Sequence, residues 1–166
     1  IAYKGIVKRL IYNFKYKHYL SDLKNSLVEL FYESIIQQEI FQKALNSPPS
    51  GGPILVPIPL HKTRLKARGY NHAKLLADGL SKKLNLSLIE ILQRTKNTKS
   101  QFGLKLKGRK ENLKDAFVFN TKYEIHNTNV FLIDDILTTG STLLEAAKVL
   151  KRSGVKKVWG LTLARD

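Results

Sequence analysis

The chain has 166 residues, 43% of them apolar, and a formal net charge of +16. That length suits one domain able to bury roughly 70% of its unfolded surface, and no apolar run reaches the about 18 residues of a membrane span. Cysteine is absent, which excludes disulfides and thiolate metal sites within this chain. With no signal-peptide pattern at the start, a cytoplasmic setting is the expectation. The chain opens on Ile1-Ala2-Tyr3 rather than methionine, as a piece of a longer protein would. Its charge is concentrated: residues 61–115 carry 15 basic and 4 acidic side chains. A field of that sign attracts nucleotides, pyrophosphate or nucleic acid, although a lysine-rich solvated surface would give the same count.

In chain order, Tyr3, Ile6, Val7, Leu10, Ile11 and Phe14 fall at helical spacing over 3–16. Ser21-Asp22 is suited to cap a second helix that continues to about Asn46. The breaker "NSPPSGGP" (46–53) divides this helical region, 1–46, from an alternating strand and helix core, 54–166. "ILVPI" (54–58) reads as a short buried strand and 70–84 as an amphipathic helix starting near Asn71. The apolar "LIEILQ" (88–93) suits a strand, while 94–115 is basic and irregular, with a helical turn near 108–114. "AFVF" (116–119) and "VFLID" (130–134) read as strands, 142–153 as a helix ended by Gly154, and 156–164 as a last strand. This order predicts an α/β fold whose mostly parallel sheet has right-handed crossovers.

The most informative stretch is "FLIDDILTTGST" (131–142). Ligands of open α/β sheets bind at the carboxyl ends of strands, and the strand delivers Asp134 and Asp135 to such an edge. Gly140 permits a tight turn. The helix that follows offers unpaired N–H groups and a partial positive charge suited to a phosphate, with hydroxyls from Thr138, Thr139, Ser141 and Thr142 around it. A carboxylate repels phosphate, so the acid pair makes sense if the ligand also presents hydroxyls or a divalent cation. A ribose 5-phosphate does this, with its phosphate on the loop and its 2′ and 3′ hydroxyls on the two Asp side chains. The chain lacks G-x-x-x-x-G-K-[ST] and G-x-G-x-x-G, so neither a P-loop nor a dinucleotide fingerprint accounts for the stretch. An acid pair that only ends a strand and caps a turn is the structural alternative.

V-F-L-I-D-D-I-L-T-T-G-S-T resembles the 5-phosphoribosyl 1-pyrophosphate (PRPP) motif of type I phosphoribosyltransferases. More narrowly, the chain resembles the ComF family of competence-associated, phosphoribosyltransferase-like proteins. "VPIPLHKTRLKARGYN" (56–71) matches its V-P-x-P-L, spaced-arginine and R-G-aromatic-N block, and "TKSQFGLKLKGRKENLKDAF" (98–117) its T-x-x-Q-x-x-L, R-x-x-N and A-F block. The likeness runs over nearly all of the chain. It implies a phosphoribosyltransferase type I-like fold with a helical N-terminal region. Asp134 and Asp135 would form a catalytic pair on the ribose hydroxyls, and Thr138, Thr139, Gly140, Ser141 and Thr142 would hold the 5-phosphate. Arg64, Arg68 and Gly69 would approach the pyrophosphate, which arginine's planar fork suits. The basic 94–112 stretch, with Arg94, Gln101, Arg109 and Asn112, would take the place of a mobile loop over the substrate. Mg²⁺ would arrive mainly through PRPP.

Three departures stand out. The cysteine-rich zinc module usual in ComF proteins has no counterpart in this cysteine-free chain, His72 stands where the family often has glutamine, and Lys105 replaces a commonly small residue. At an exposed helix start His72 could donate to an anion, but it reads first as an ordinary surface histidine.

Two functional classes follow. One is a Mg²⁺-dependent phosphoribosyltransferase whose acceptor the sequence does not name. The other is a non-catalytic PRPP or nucleotide binder whose basic face handles single-stranded DNA, with other competence proteins as partners. In the basic region only Tyr70 and Phe102, with Phe117 just beyond, could stack on bases.

Overall fold

The computed structural model describes residues 1–16, 21–46, 52–98 and 113–166, with the side chains of Ser21 and Asp22 also left out. The expected cap at Ser21-Asp22 and the turn near 108–112 therefore lie outside the described residues. A three-stranded parallel sheet holds the order β1–β4–β5, where β1 is Ile54–Pro57, β4 Asn129–Leu137 and β5 Lys157–Arg165. Its central strand is the continuous apolar run Val130 to Ile133, all fully buried, as a strand covered on both faces requires.

Side chains alternate along β4, and each face has its own core. Phe131 and Ile133 join a cluster with Ile11 and Phe14 of α1 (Gly5–Tyr16), Leu27 and Phe31 of α2 (Ser21–Ile36), Phe41 of α3 (Glu39–Leu45) and Leu76 and Leu80 of α5 (His72–Leu84). Val130 and Leu132 face the other way, onto Ala146 and Leu150 of α6 (Ser141–Arg152) and onto Ile91 and Phe117. Each such large apolar side chain contributes about 1.5–3 kcal/mol when fully buried. The α2–α5 contact is close: a Cβ on Gly79 would lie 2.4 Å from a Val28 methyl, so this position has room only for glycine.

The structure departs from the sequence reading in three places. The helix expected to run to residue 46 breaks at Gln38, whose backbone is extended, so that α3 can turn Phe41 and Ala44 inward. No glycine or proline marks the break. Glutamine side chains stabilise it instead, Gln42 Nε2 donating to the Ile36 carbonyl at 2.7 Å and Gln38 Nε2 to the Ser34 carbonyl at 2.8 Å. Second, the segment after β1 that carries Arg64 and Arg68, for which the sequence reading gave no element, is a short helix, α4 (Lys62–Arg68). The His61 ring accepts from the Thr63 N–H at its start, and Gly69, at φ 83°, ends it. Third, Arg94 is not part of a loop. It closes β2 (Leu92–Arg94), which pairs antiparallel with β3 (Phe117–Phe119) in a separate two-stranded ribbon.

Among the described residues, no helix is long and apolar enough to cross a membrane.

Candidate functional site

The carboxyl edge of the sheet is stepped. β1 ends at Pro57, opposite Ile133, whereas β4 runs on to Leu137 with only β5 beside it. Asp134 and Asp135 therefore project past the end of β1, into the notch where the chain turns away toward α4. Strand parity turns the two side chains toward different faces, yet past the end of β1 an oxygen of each carboxylate stays within 4.8 Å of the other. Asp135 continues the Phe131–Ile133 face, toward α1 and α5, while Asp134 continues the Val130–Leu132 face, toward β2 and β3.

On the first side Asp135 is buried, with Lys15 Nζ 2.6 Å and His72 Nε2 3.4 Å from its Oδ2. Arg68 lies 2.9 Å from the other ring nitrogen, Nδ1. A guanidinium has only donors, so Nδ1 must accept, and the neutral ring carries its proton on Nε2, toward Asp135. Burial in turn holds His72 well below its ordinary value, at about 4. Burial also opposes the charge on Asp135, but its neighbours outweigh that and keep it below the usual carboxylate range. Among those neighbours His72 weighs first, then Lys15 and the hydrogen bond from Asp134; at neutral pH, where the ring is uncharged, Lys15 is the full positive charge in contact with Asp135 among the described residues. The end of α1 is anchored separately: the Tyr70 hydroxyl donates to the Phe14 carbonyl, and Arg68 stacks 5.2 Å over the Tyr16 ring.

On the second side Asp134 accepts from the Asp135 N–H at 2.9 Å and makes no ion pair among the described residues. Burial, and next the charge of Asp135, push its carboxyl up to about 7. Two arginines converge nearby on one residue: Arg64 donates to the Thr98 carbonyl and Arg94 to the Thr98 hydroxyl, each at 2.5 Å. Arg94 is buried over the Phe117 ring, and its Nε has no hydrogen-bond partner among the described residues. Burial, then the like charge of Arg64, lower Arg94 to about 10, while Asp134 supports its charge.

From Asp135 the chain passes directly into Thr138–Thr139–Gly140. Gly140, at φ 72°, takes a left-handed conformation that L side chains rarely adopt, and opens α6 without a side-chain cap. Thr139 and Ser141 hydroxyls lie 2.9 Å apart, Ser141 is buried, and Thr138 is exposed. The first intrahelical bond runs from the Leu144 N–H to the Gly140 carbonyl, so the turn before it presents backbone donors at the positive end of a twelve-residue helix.

One donor atom from each of His72, Asp134 and Asp135 lies within 4.8 Å of the others. This set does not fit a resident Mg²⁺. That ion demands near-octahedral oxygen ligands, whereas Lys15 already occupies Asp135 and the histidine nitrogen facing the pair carries a proton.

The sheet order, the step at its edge and the turn into α6 invite comparison with known proteins. Residues 65–166 match the model of the phosphoribosyl transferase domain. The chain belongs to that family. Within it, the chain is 45% identical over 114 residues to Competence protein F of Haemophilus influenzae, covering 66% of this chain and 50% of that protein. To Competence protein ComFC of Bacillus subtilis it is 40% identical over 115 residues, covering 68% and 45%. These relatives make it a ComF family member, and the chain spans about half their length. A hypoxanthine phosphoribosyltransferase from Staphylococcus aureus shares the fold at a TM-score of 0.50 and 16% identity, covering 86% of this chain and 68% of that one. The expected type I fold is thereby shown.

The structure thus brings Asp134, Asp135, Arg68 and, through Asp134, Arg94 and Arg64 into one neighbourhood at the carboxyl edge of the sheet. Arg68 is turned to His72, and Gly69 serves as the helix terminus. Gln101, Lys105, Arg109, Asn112 and Phe102 lie outside the described residues. Two residues escaped the sequence reading. His72 is not a surface histidine but 6% exposed, on the stripe His72–Leu76–Leu80 of α5. Lys15 follows Ile11 by one helical turn and so shares the buried face of α1. In both, a polar residue on an apolar stripe was the available signal.

Proposed function

We propose that this site binds a ribose 5-phosphate moiety, in the first place that of PRPP, and transfers it to an acceptor. The observation that carries the reading is the acid pair projecting past β1 immediately before the glycine-opened start of α6. Ribose hydroxyls would donate to the carboxylates in charge-assisted bonds, and the 5-phosphate would accept from the Thr138–Thr142 turn. Arg64 and Arg94 suit the pyrophosphate, and Mg²⁺ would enter on the ligand's own oxygens rather than on a resident site. In transfer, the bond from the anomeric carbon to pyrophosphate breaks, with pyrophosphate leaving with the electron pair. The acceptor's nucleophile forms the new bond and releases its proton to solvent. The chain's part is positioning and neutralisation of the leaving group. Calorimetric titration with PRPP, with and without Mg²⁺, tests this. Wild type binds and Asp134→Asn/Asp135→Asn loses at least about tenfold, the contribution of one charged hydrogen bond. A double variant that binds as wild type does would refute it.

A role in DNA uptake, in keeping with the names of the relatives, is the second reading, and one surface favours it. Tyr12 and Tyr16 are exposed on α1 with ring centroids 4.8 Å apart, and Arg68 covers Tyr16. Lys8 and Arg9 flank them on the same helix. This pair of rings provides a stacking platform on α1, whereas Phe117 is buried under Arg94 and closed to bases. Single-stranded DNA would stack on the rings while its phosphates follow the basic helices, in a cytoplasmic complex with other competence proteins. Oligothymidine affinity should fall steeply with salt and drop by about fivefold or more in Tyr12→Ala/Tyr16→Ala. Affinity indifferent to both would exclude this surface.

A further inference from the structure

We propose that Lys15 is a positioning residue of the ribose site, holding Asp135 ionised and in place to accept from the ribose 2-hydroxyl. The inference rests on the ribose-phosphate reading above and extends the site beyond the matched domain, since Lys15 lies in α1 and the match begins at residue 65.

Three observations carry it. The Lys15 and Asp135 side chains are 19% and 5% exposed and meet at 2.6 Å. A carboxylate taken out of water beside a second carboxyl keeps its charge only with a close cation, and Lys15 is the one cation in ion-pair contact with Asp135 among the described residues, His72 being neutral. Second, α1 does not need this pair to dock. Ile11 and Phe14 are buried in the core, the Phe14 carbonyl is held by Tyr70, and Tyr16 lies under Arg68. A buried ion pair adds little net stability over a well-packed apolar pair, so the lysine has no packing reason to be there. Third, Lys15 Nζ and His72 Nε2 lie 2.6 and 3.4 Å from the same oxygen, Oδ2, which has no hydrogen bond of good geometry among the described residues, so the ammonium acts on it chiefly through its charge. Without Lys15, Asp135 would take up a proton and cease to be an acceptor-only group.

The test compares ribose 5-phosphate with 2-deoxyribose 5-phosphate by calorimetry on the full chain, with thermal unfolding as the check on folding. Wild type should prefer the ribose form by at least about tenfold, the worth of one hydrogen bond to a charged group. In Lys15→Met that preference should collapse to within about twofold, with affinity for the deoxy sugar changed little. Lys15→Arg, which keeps the charge, should retain the preference. Tyr70→Phe loosens the docking of α1 without touching the charge of Asp135, and should retain it too. A merely structural lysine would lower affinity for both sugars alike and leave their ratio intact. Should Lys15→Met fail to fold, Lys15→Gln tests the same point, since it keeps a donor but no charge. Retention of the wild-type preference in a folded Met or Gln variant overturns the inference alone, as does a wild type that binds both sugars equally. A wild type that binds neither sugar phosphate overturns the ribose reading and this inference with it.

Discussion

Asp134 and Asp135 are neighbours in sequence but inhabit two different regions. Asp135 lies in a compensated pocket, with an ammonium at 2.6 Å and an imidazole N–H at 3.4 Å. Asp134 is half-buried, accepts from the Asp135 N–H and shares a side-chain hydrogen bond with the Asp135 carboxylate, and the Lys15 ammonium acts on it without contact. One carboxyl is therefore held below the usual range while the other rises to about 7. The difference arises from the two-residue period of a strand, which hands successive side chains to different cores. On one side the helices supply Lys15 and His72. On the other, the β2–β3 ribbon supplies Arg94, with Arg64 reaching it through Thr98. A pair that is ionised at one member and protonatable at the other can accept from one hydroxyl and exchange a proton with another group, which two equivalent carboxylates would not do at one pH.

Asparagine substitutions should separate the two regions most sharply. Asp135→Asn strips Lys15 of its counter-ion. The expected loss is on the order of 3 kcal/mol, the lower end for a broken buried pair, because Lys15 keeps about a fifth of its side chain in water. Asp134→Asn replaces a carboxyl already mostly neutral at pH 6 by a neutral amide whose oxygen can still accept from the Asp135 N–H. It should change stability by less than about 1 kcal/mol. Urea unfolding at pH 6 measures both. Equal losses would mean that the two environments are alike, contrary to the geometry.

How far this division could be read in advance varies along the chain. β4, the Gly140 turn and the Asn71 start of α5 were legible because each is written locally: an apolar run, a glycine at a left-handed position, and an asparagine whose side chain accepts from the Ala73 N–H. The α2–α3 break was not, because tertiary burial of Phe41 and glutamine side chains, rather than a breaker residue, decide it. Arg94 looked like loop because a three-residue strand is too short to show a period. Its partner is Phe117, reached only by folding back. The side chains that finish the site, Lys15 and His72, come from separate helices. Helical spacing could place each on a buried stripe, but only the assembled sheet shows that both stripes converge on Asp135.

A smaller and more diagnostic effect lies in the pH dependence of stability. His72 titrates at about 4 in the folded protein against 6.5 ordinarily, so between those values the unfolded chain binds the extra proton and stability rises with pH. Asp134 is reversed. Its folded value of about 7 against 3.8 makes the folded protein hold the extra proton, so stability falls as pH rises through the same window. Asp135, held below 3.8, contributes a loss only as pH falls beneath about 4. The two opposing slopes, each at most about 1.4 kcal/mol per pH unit, largely cancel in the wild type from pH 4 to 6.5. These two then leave little net slope, and the lowered carboxyls of Asp78 and Glu145 add a rise confined to the acid end of the window. His72→Phe removes the rising component and should expose a decline with pH, while Asp134→Asn removes the falling one and should leave a climb. Opposite slopes in the two single variants, read from urea midpoints at half-unit pH steps, would establish that the adjacent acid and the buried histidine exchange roles across β4. Parallel slopes would mean that one environment governs both.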